Sequence, residues 1–558
     1  MRKRFLIKIT ILLLLVPAML LQGCWLLFPP VIDTVEPDTS PDIDINKDNG
    51  NGDSNGNNKV IDILPPEIPA AIVPPQFGRF TLRYDSKSAL NPITTLNRDN
   101  ILLSSLIYES LFVLDGNLSA FPLLCENWST EDSATYTFEI KPNIAMHDGS
   151  FMTADDVAYS LKQAMLKGRY VSRFKTIQSV SSDGELTVTV DLYSPNSRFI
   201  KLLDVPIIKS GSIDSRTPPG TGPYVFAGDE AMRLSPFARY RDYTEMPVTF
   251  IYLIECGDNE LTELFDDGVI SLLWDDPSDA FDIRINRLPE KHFYNTTTLQ
   301  FIGFNARRGV MRDADVRRAV GCSIDRQFIV DEILTGQQAI PAPLALNTTF
   351  WLYDKEWERR SLDPLVEMAL LLDRAFFADY DDDSFLEIWD GADGYEKFTA
   401  DFIVNIENSY RTQAAHKIAD TLRRIGFNTV VRELPWESYL KALQDGNFDM
   451  YYGEIMLGAD FDLSPLLLPN SHLNYGRTGS SDHVPFIDDF LSARTDEDIR
   501  YAAKRLCDQI TVSAPFVPVV YKQHAIYFPM GAISGAAPSQ STVFYNLKNW
   551  KIDLEMLN

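Results

Sequence analysis

Residues 135–140, TYTFEI, alternate apolar and polar side chains with a period of two, the pattern of a strand with one buried face. Residues 186–192, LTVTVDL, repeat it. Between them the period lengthens to that of a helix. Val157, Leu161 and Met165 fall at i, i+4 and i+8 on one face, and Gly168 ends the run. Thr153 stands at the N-cap, and Asp156 three residues on completes a capping box with Asp in the usual Glu position. His147-Asp148-Gly149 reads as the turn leading into this helix. The same reading places an opening strand over 79–84, ahead of the turn signal Asn91-Pro92, and another strand over 299–305. A capped helix follows over 313–320. Farther on, a strand at 401–406 leads to a helix striped by Ala415, Ile418, Leu422 and Ile425 and closed by Gly426. A strand at 428–433, a helix at 436–443 and a strand at 449–455 come next. Interleaved helices and strands of this kind predict an α/β protein with mixed sheets.

The first 76 residues follow different rules. Arg2, Lys3 and Arg4 precede about thirteen uncharged residues, Ile9 to Leu21, too few for the ~20 a spanning helix needs but suited to a secretory signal. Leu21-Gln22-Gly23-Cys24 resembles the bacterial lipobox, whose cysteine is acylated after cleavage; Gln22 stands where a small residue is usual. That makes 1–23 a lipoprotein signal peptide and Cys24 the lipidated residue, with the acyl chains holding the protein on a membrane surface. Residues 24–76, rich in Pro, Asn and Asp with almost no aromatics, cannot bury enough apolar area to offset their ordering entropy. They read as a lipid-anchored, disordered linker. Within it Asp44, Asn46 and Asp48 hint at a calcium loop, but Asn49 and Asn55 occupy the positions that want Gly and Glu, so solvated linker is the preferred reading.

The remaining residues, 77–558, suffice for two or three packed domains. The chain carries −27; without the four leader bases this is −31, and without the linker's nine acids and two bases the body keeps −24. Such a surface repels nucleic acid and anionic lipid headgroups, so no nucleic-acid partner is expected. Five widely spaced cysteines without a CxxC argue against a zinc site or a disulfide scaffold. The HExxH, P-loop and GxGxxG motifs are missing, and the six histidines are scattered. The acid groups Asp275-Asp276, Asp381-Asp382-Asp383 and Asp488-Asp489 suggest a glycosidase pair or a calcium site, against the simpler reading of a solvated face in an acidic chain. The expectation is therefore a protein without catalytic residues, metal or cofactor.

An ordered set of short segments carries a family resemblance. It comprises Asn91-Pro92, Ile107-Tyr-Glu-Ser-Leu111, Glu126-Asn-Trp128, Tyr136 to Ile140, His147-Asp-Gly149, Thr153-Ala-Asp-Asp-Val157, Gly220-Thr-Gly-Pro-Tyr224, Phe304-Asn305, Asp315-Val-Arg-Arg-Ala319 and Ser323-Ile-Asp-Arg326. The set resembles the extracellular solute-binding proteins, family 5, of the oligopeptide, dipeptide and nickel class that serve ABC importers. The resemblance implies a two-lobed periplasmic-binding-protein-like fold of the type II, cluster C kind, with mixed sheets, hinge strands and an extra inserted subdomain. Lobe I would be discontinuous, about 77–300 and 510–558 with the insertion at about 106–195, and lobe II would span about 305–508. The hinge strands would lie near 299–305 and 516–521. The protein would be a monomer on the extracytoplasmic face of the cell membrane. It would close on a small solute, most simply a peptide, and hand it to the permease and ATPase subunits of an importer. In peptide-binding members an aspartate in a short Asp-aromatic segment pairs with the ligand's α-ammonium; Leu457-Gly-Ala-Asp460-Phe-Asp462-Leu-Ser-Pro465 matches, with Asn474-Tyr475 following. Asp460 is the candidate counter-charge, with Phe461 and Asn305 as further ligand-binding candidates. Two features depart from the pattern: Leu457-Gly458 replace a preceding tryptophan, and the proline after the second acid is displaced to Pro465. Gly220 and Gly222 permit a tight turn or a close backbone approach. His147 is read as a turn residue rather than a ligand contact, and Asp315 with Arg317-Arg318 as a solvated, ion-paired helix face. Two rivals remain: the same fold used as a surface sensor, adhesin or chaperone, and a secreted hydrolase.

Overall fold

A computed structural model describes residues 78–278, 285–335, 338–358, 363–389, 394–478 and 481–557. The signal peptide, Cys24 and the linker lie outside the described residues.

Two bodies take shape around separate apolar cores. In the first, Phe80–Arg83 pairs in parallel with Ile251–Ile254, and Arg233–Pro236 and Tyr224–Phe226 extend the sheet antiparallel. Beside it an antiparallel sheet runs in the order Cys125–Ser129, Thr135–Ile140, Thr187–Leu192, Ile177–Ser182. The helix Ala154–Leu166 packs on this sheet through Val157, Ala158 and Leu161, all buried. Its capping box is formed, with the Thr153 N–H donating to Asp156 Oδ2 at 2.9 Å. These elements share one core drawn from residues 80–294 and 526–557.

The second body is built on most of a larger mixed sheet, ordered Leu273–Asp275, Phe516–Pro529, Pro289–Phe304, Met450–Met456, Ala400–Asn405, Thr429–Leu434. The first strand of that sheet sits with the first body, where Leu272 is a core residue and Trp274 packs against that core. The β-α-β unit legible in the sequence is there: Ala400–Asn405 and Thr429–Leu434 lie parallel, joined by the helix Ser409–Arg424, which buries Ala415, Ile418 and Leu422. Two further cores, drawn almost wholly from residues 299–520, cover the faces of this sheet.

The two bodies are joined by a pair of long antiparallel strands, Pro289–Phe304 and Phe516–Pro529. Tyr294, Ile526 and Phe528 sit in the first core, whereas Phe301, Phe516 and Tyr521 sit in the second. Ladder pairing is interrupted between Asn295 and Leu299. There Thr296 Oγ1 donates instead to Lys522 O at 2.8 Å, and the Thr297 N–H donates to Gln540 Oε1 at 2.6 Å. The strand expected over 299–305 is thus the back half of a 16-residue strand. Its front half, PEKHFYNTTT, carries no clean alternation because it crosses between two environments. Among the described residues no helix is long and apolar enough to cross a membrane, and Cys125, Cys256, Cys322 and Cys507 form no disulfide with one another.

Candidate functional site

The segment after strand Met450–Met456 turns back along the first body. The Leu457 N–H donates to Thr297 O at 3.1 Å and Thr297 Oγ1 to Leu457 O at 2.6 Å, fixing the start of the segment beside the interrupted ladder. Gly458 follows because a Cβ there would stand 2.4 Å from Asp460 Oδ1 and 3.0 Å from Leu202. The tryptophan of the family pattern therefore has no room at this position. Pro465 opens the short helix Ser464–Leu467.

Asp460 is 3% exposed and lies where the bodies meet. Asn196 Nδ2, from the first body, donates to its Oδ2 at 2.7 Å, and the Asp462 N–H donates to its Oδ1 at 3.3 Å. Residues 196–198 form a clasp. The Ser197 N–H donates to Leu491 O at 2.8 Å, Arg198 Nε donates to Asp460 O at 3.3 Å, and the Arg198 guanidinium lies 4.0 Å from the Phe490 ring centre. Arg198 is 4% exposed, yet neither terminal guanidinium nitrogen donates a hydrogen bond. Such nitrogens are costly to bury unless an acceptor reaches them. Burial pulls the Arg198 pKa down to about 10, and burial together with the Arg198 charge pulls that of Lys201 down to about 8. Burial pushes the Asp462 carboxyl up to about 6, and the neighbouring Asp460 charge adds to the rise. Two acids and two cations thus share a dry contact between the bodies, with an unused donor fork among them. Sequence reasoning missed Arg198 and Lys201, since nothing in NSRFIK marks them before the fold brings them to a segment 260 residues away.

A raised carboxylate pKa lowers stability as pH rises. The Asp462 contribution is fully present below the unfolded value near 4 and is lost as pH passes 6. Asp462→Asn is expected to stabilise the ligand-free protein at pH 8, by at most about 3 kcal/mol, and to change almost nothing at about pH 3, below the unfolded value. Thermal melts of both proteins across that range check this.

The other sequence candidates separate from Asp460. Phe461, at φ 57°, is a core residue with its ring 5.3 Å from Phe350 and 6.2 Å from Tyr521. Asn305 directly follows the strand Pro289–Phe304, eight residues beyond Thr297 and so roughly 26 Å along it. Its Nδ2 donates to Gly446 O at 2.9 Å, and its Oδ1 accepts from the Arg307 N–H at 3.2 Å. That geometry makes both residues parts of the frame rather than of the clasp. His147 holds the turn at 220–222: its Nδ1 accepts from the Gly220 N–H at 3.3 Å, so Nε2 carries the proton given to Gly222 O at 3.0 Å. Gly220 and Gly222 are required by close approach, since a Cβ would stand 2.7 Å and 2.6 Å from Ile107 O. The helix at 313–320 needs one correction. Asp315 does pair on the surface with Arg318 and Arg374, but Arg317 is buried. It donates to Ala514 O, Met311 O and Ser513 O, closing the C-terminal end of the helix Asp496–Ser513.

A second polar cluster sits at the ladder interruption. Lys522, 2% exposed on the second crossing strand, bonds Asp276 Oδ2 of the first body at 2.5 Å and faces Glu454 Oε2 of the second at 3.4 Å. His524 Nε2 lies 3.4 Å from the same Asp276 oxygen, and Gln300 Nε2 donates to Glu454 at 2.9 Å. Burial alone pushes the Asp276 carboxyl up, but Lys522 and His524 more than offset it and hold it well below the usual range. One half of the Asp275-Asp276 acid pair is therefore buried and ion-paired rather than solvated. It ties the two bodies to a crossing strand.

Two bodies on paired crossing strands, with a buried charged contact between them, define a hinged two-lobed binding protein. The family model described as bacterial extracellular solute-binding proteins, family 5, middle, matches residues 120–474, and the chain belongs to that family. It is 21% identical over 486 residues to the oligopeptide-binding protein AppA of Bacillus subtilis, covering 80% of this chain and 86% of that one. It is 22% identical to di/tripeptide-binding protein 1 of Pseudomonas aeruginosa, over 60% of this chain and 67% of that one. Among solved structures, Bacillus subtilis AppA in complex with a nonapeptide superposes with a TM-score of 0.62 at 18% identity, covering 85% of this chain and 99% of that one. The unliganded open form of the murein tripeptide-binding protein MppA gives 0.69 at 14% identity, covering 86% and 98%. The chain is thus an extracytoplasmic solute-binding protein with the two-lobed fold of its family.

Proposed function

We propose that the protein captures short peptides between its lobes by hinge closure and delivers them unchanged to the permease of an ABC importer. The observation that carries this reading is the clasp itself. Asp460 and Asp462 suit an α-ammonium, and the unpaired fork of buried Arg198 suits a peptide carbonyl or carboxylate. Relatives named for oligopeptides and for di- and tripeptides support the same class. On this reading the lobes divide at the crossing strands, and the Thr296–Thr298 interruption is where they flex. Cys24 carries the lipid anchor, the linker spaces the lobes from the membrane, and the protein acts as a monomer. Binding selects the closed member of an open–closed ensemble, which the permease recognises.

Native mass spectrometry of the purified protein tests the ligand class. A ladder of bound peptide masses, released intact on denaturation, is expected. A protein that carries no peptide and takes none from a mixed peptide pool would refute the reading, as would peptides cleaved on incubation.

A further inference from the structure

The acidic turn between the strands Phe377–Ala378 and Glu387–Trp389 plays no part in the clasp or the hinge. Asp379, Asp381 and Glu387 each bring one carboxylate oxygen within 4.8 Å of the others. The turn folds around Asp379, whose Oδ1 accepts from the Asp383 N–H at 3.2 Å and Oδ2 from the Ser384 N–H at 2.9 Å. Asp379, Asp381 and Asp383 therefore occupy the first, third and fifth places of a loop that bends at its sixth residue, Ser384, at φ 74°. That is the ligand spacing of a calcium loop.

Spacing and acidity alone would not distinguish a site from a solvated turn. Glu387 does. It is 3% exposed, its Oε2 accepts from the Tyr380 N–H at 2.8 Å, and its buried Oε1 accepts no hydrogen bond. The nearest cation, Lys397 Nζ, stays 4.0 Å from that oxygen because it sits against Asp381, at 3.0 Å, and Asp383. Lys397 is 56% exposed on a flexible stem, and its single charge faces three carboxylates. A divalent ion could reach the oxygen that the ammonium does not. Every donor is an oxygen, without His or Cys, which selects a hard cation.

We propose that this turn binds calcium through Asp379, Asp381, Asp383 and Glu387, with the Lys397 ammonium displaced into solvent. This departs from the expectation of a metal-free chain. The role is structural: the Leu386 N–H donates to Gly426 O at 2.9 Å, so an ordered turn is tied to the end of the helix Ser409–Arg424 in the second lobe. The affinity belongs to the extracellular class, with Kd about 0.1–1 mM.

Terbium titration of the full chain after chelator treatment tests this, because Tyr380 and Tyr395 flank the turn and can sensitise bound terbium. Emission that calcium displaces in the submillimolar to millimolar range is expected, together with a calcium-dependent rise in melting temperature. Asp381→Asn and Glu387→Gln should each weaken binding at least tenfold, and Lys397→Gln should tighten it several-fold. Asp48→Asn, in the acidic stretch of the linker, should leave both signals in place. If Glu387→Gln fails to fold, wild type and Asp381→Asn decide the matter alone. The site is overturned if wild type shows neither signal up to about 10 mM calcium. It is equally overturned if Asp381→Asn keeps both, or if Asp48→Asn removes them.

Discussion

Replacing Lys522 by methionine should destabilise the protein by about 3–5 kcal/mol, the largest single-residue loss expected outside the apolar cores. The ammonium is the main compensation for Asp276 and faces Glu454, both held below the usual carboxylate range against burial. Removing it leaves uncompensated acids where the lobes meet the crossing strands. The loss comes from stranded charge rather than from an attractive pair. Adding Asp276→Asn and Glu454→Gln to Lys522→Met should therefore recover most of it, whereas neither single acid replacement should stabilise wild type. A depressed carboxylate pKa also fixes the pH window. The Asp276 contribution is present above the unfolded value near 4 and is lost as pH falls toward its native pKa. Chemical denaturation of the single and triple variants at pH 7 and pH 3 measures both effects. A Lys522→Met protein as stable as wild type at pH 7 would remove the network from the hinge.

Asp460→Asn should weaken peptides with a free amino terminus by roughly 10- to 150-fold, the worth of a charge-assisted hydrogen bond in a dry site. The replacement keeps an acceptor for Asn196 Nδ2, so stability should change by less than about 1 kcal/mol. Amino-acetylated peptides should bind both proteins equally, since they offer no ammonium. Calorimetry with one peptide in both forms separates the outcomes. Equal affinity of wild type and Asp460→Asn for the free-amino peptide would take Asp460 out of the site.

What the sequence revealed follows the range of the forces involved. The capping box at Thr153 and Asp156, the stripe of Ala415, Ile418 and Leu422, and the alternation at 135–140 depend on neighbours within a turn or a pleat, so spacing alone exposes them. The resemblance reached the family because its segments are frame. His147 with Gly220 and Gly222 shows this, as one half-buried turn-to-turn contact. The clasp and the hinge network were out of reach. Arg198 meets Asp460, and Lys522 meets Asp276, across about half the chain, and no local period records such a meeting. Arg317 marks the same boundary from the other side. In sequence it sits beside Arg318 in a run with Asp313 and Asp315 close by, yet the carbonyls it serves belong to a helix end 196 residues later.

The central claim is that two lobes close on a solute about the crossing strands. Small-angle scattering of the ligand-stripped protein, recorded with and without a saturating peptide pool, addresses it directly. A fall in the radius of gyration on adding peptide, largely lost in Asp460→Asn at the same peptide concentration, is the predicted result. An unchanged scattering curve, with peptide shown to be bound in the same sample, would contradict the claim.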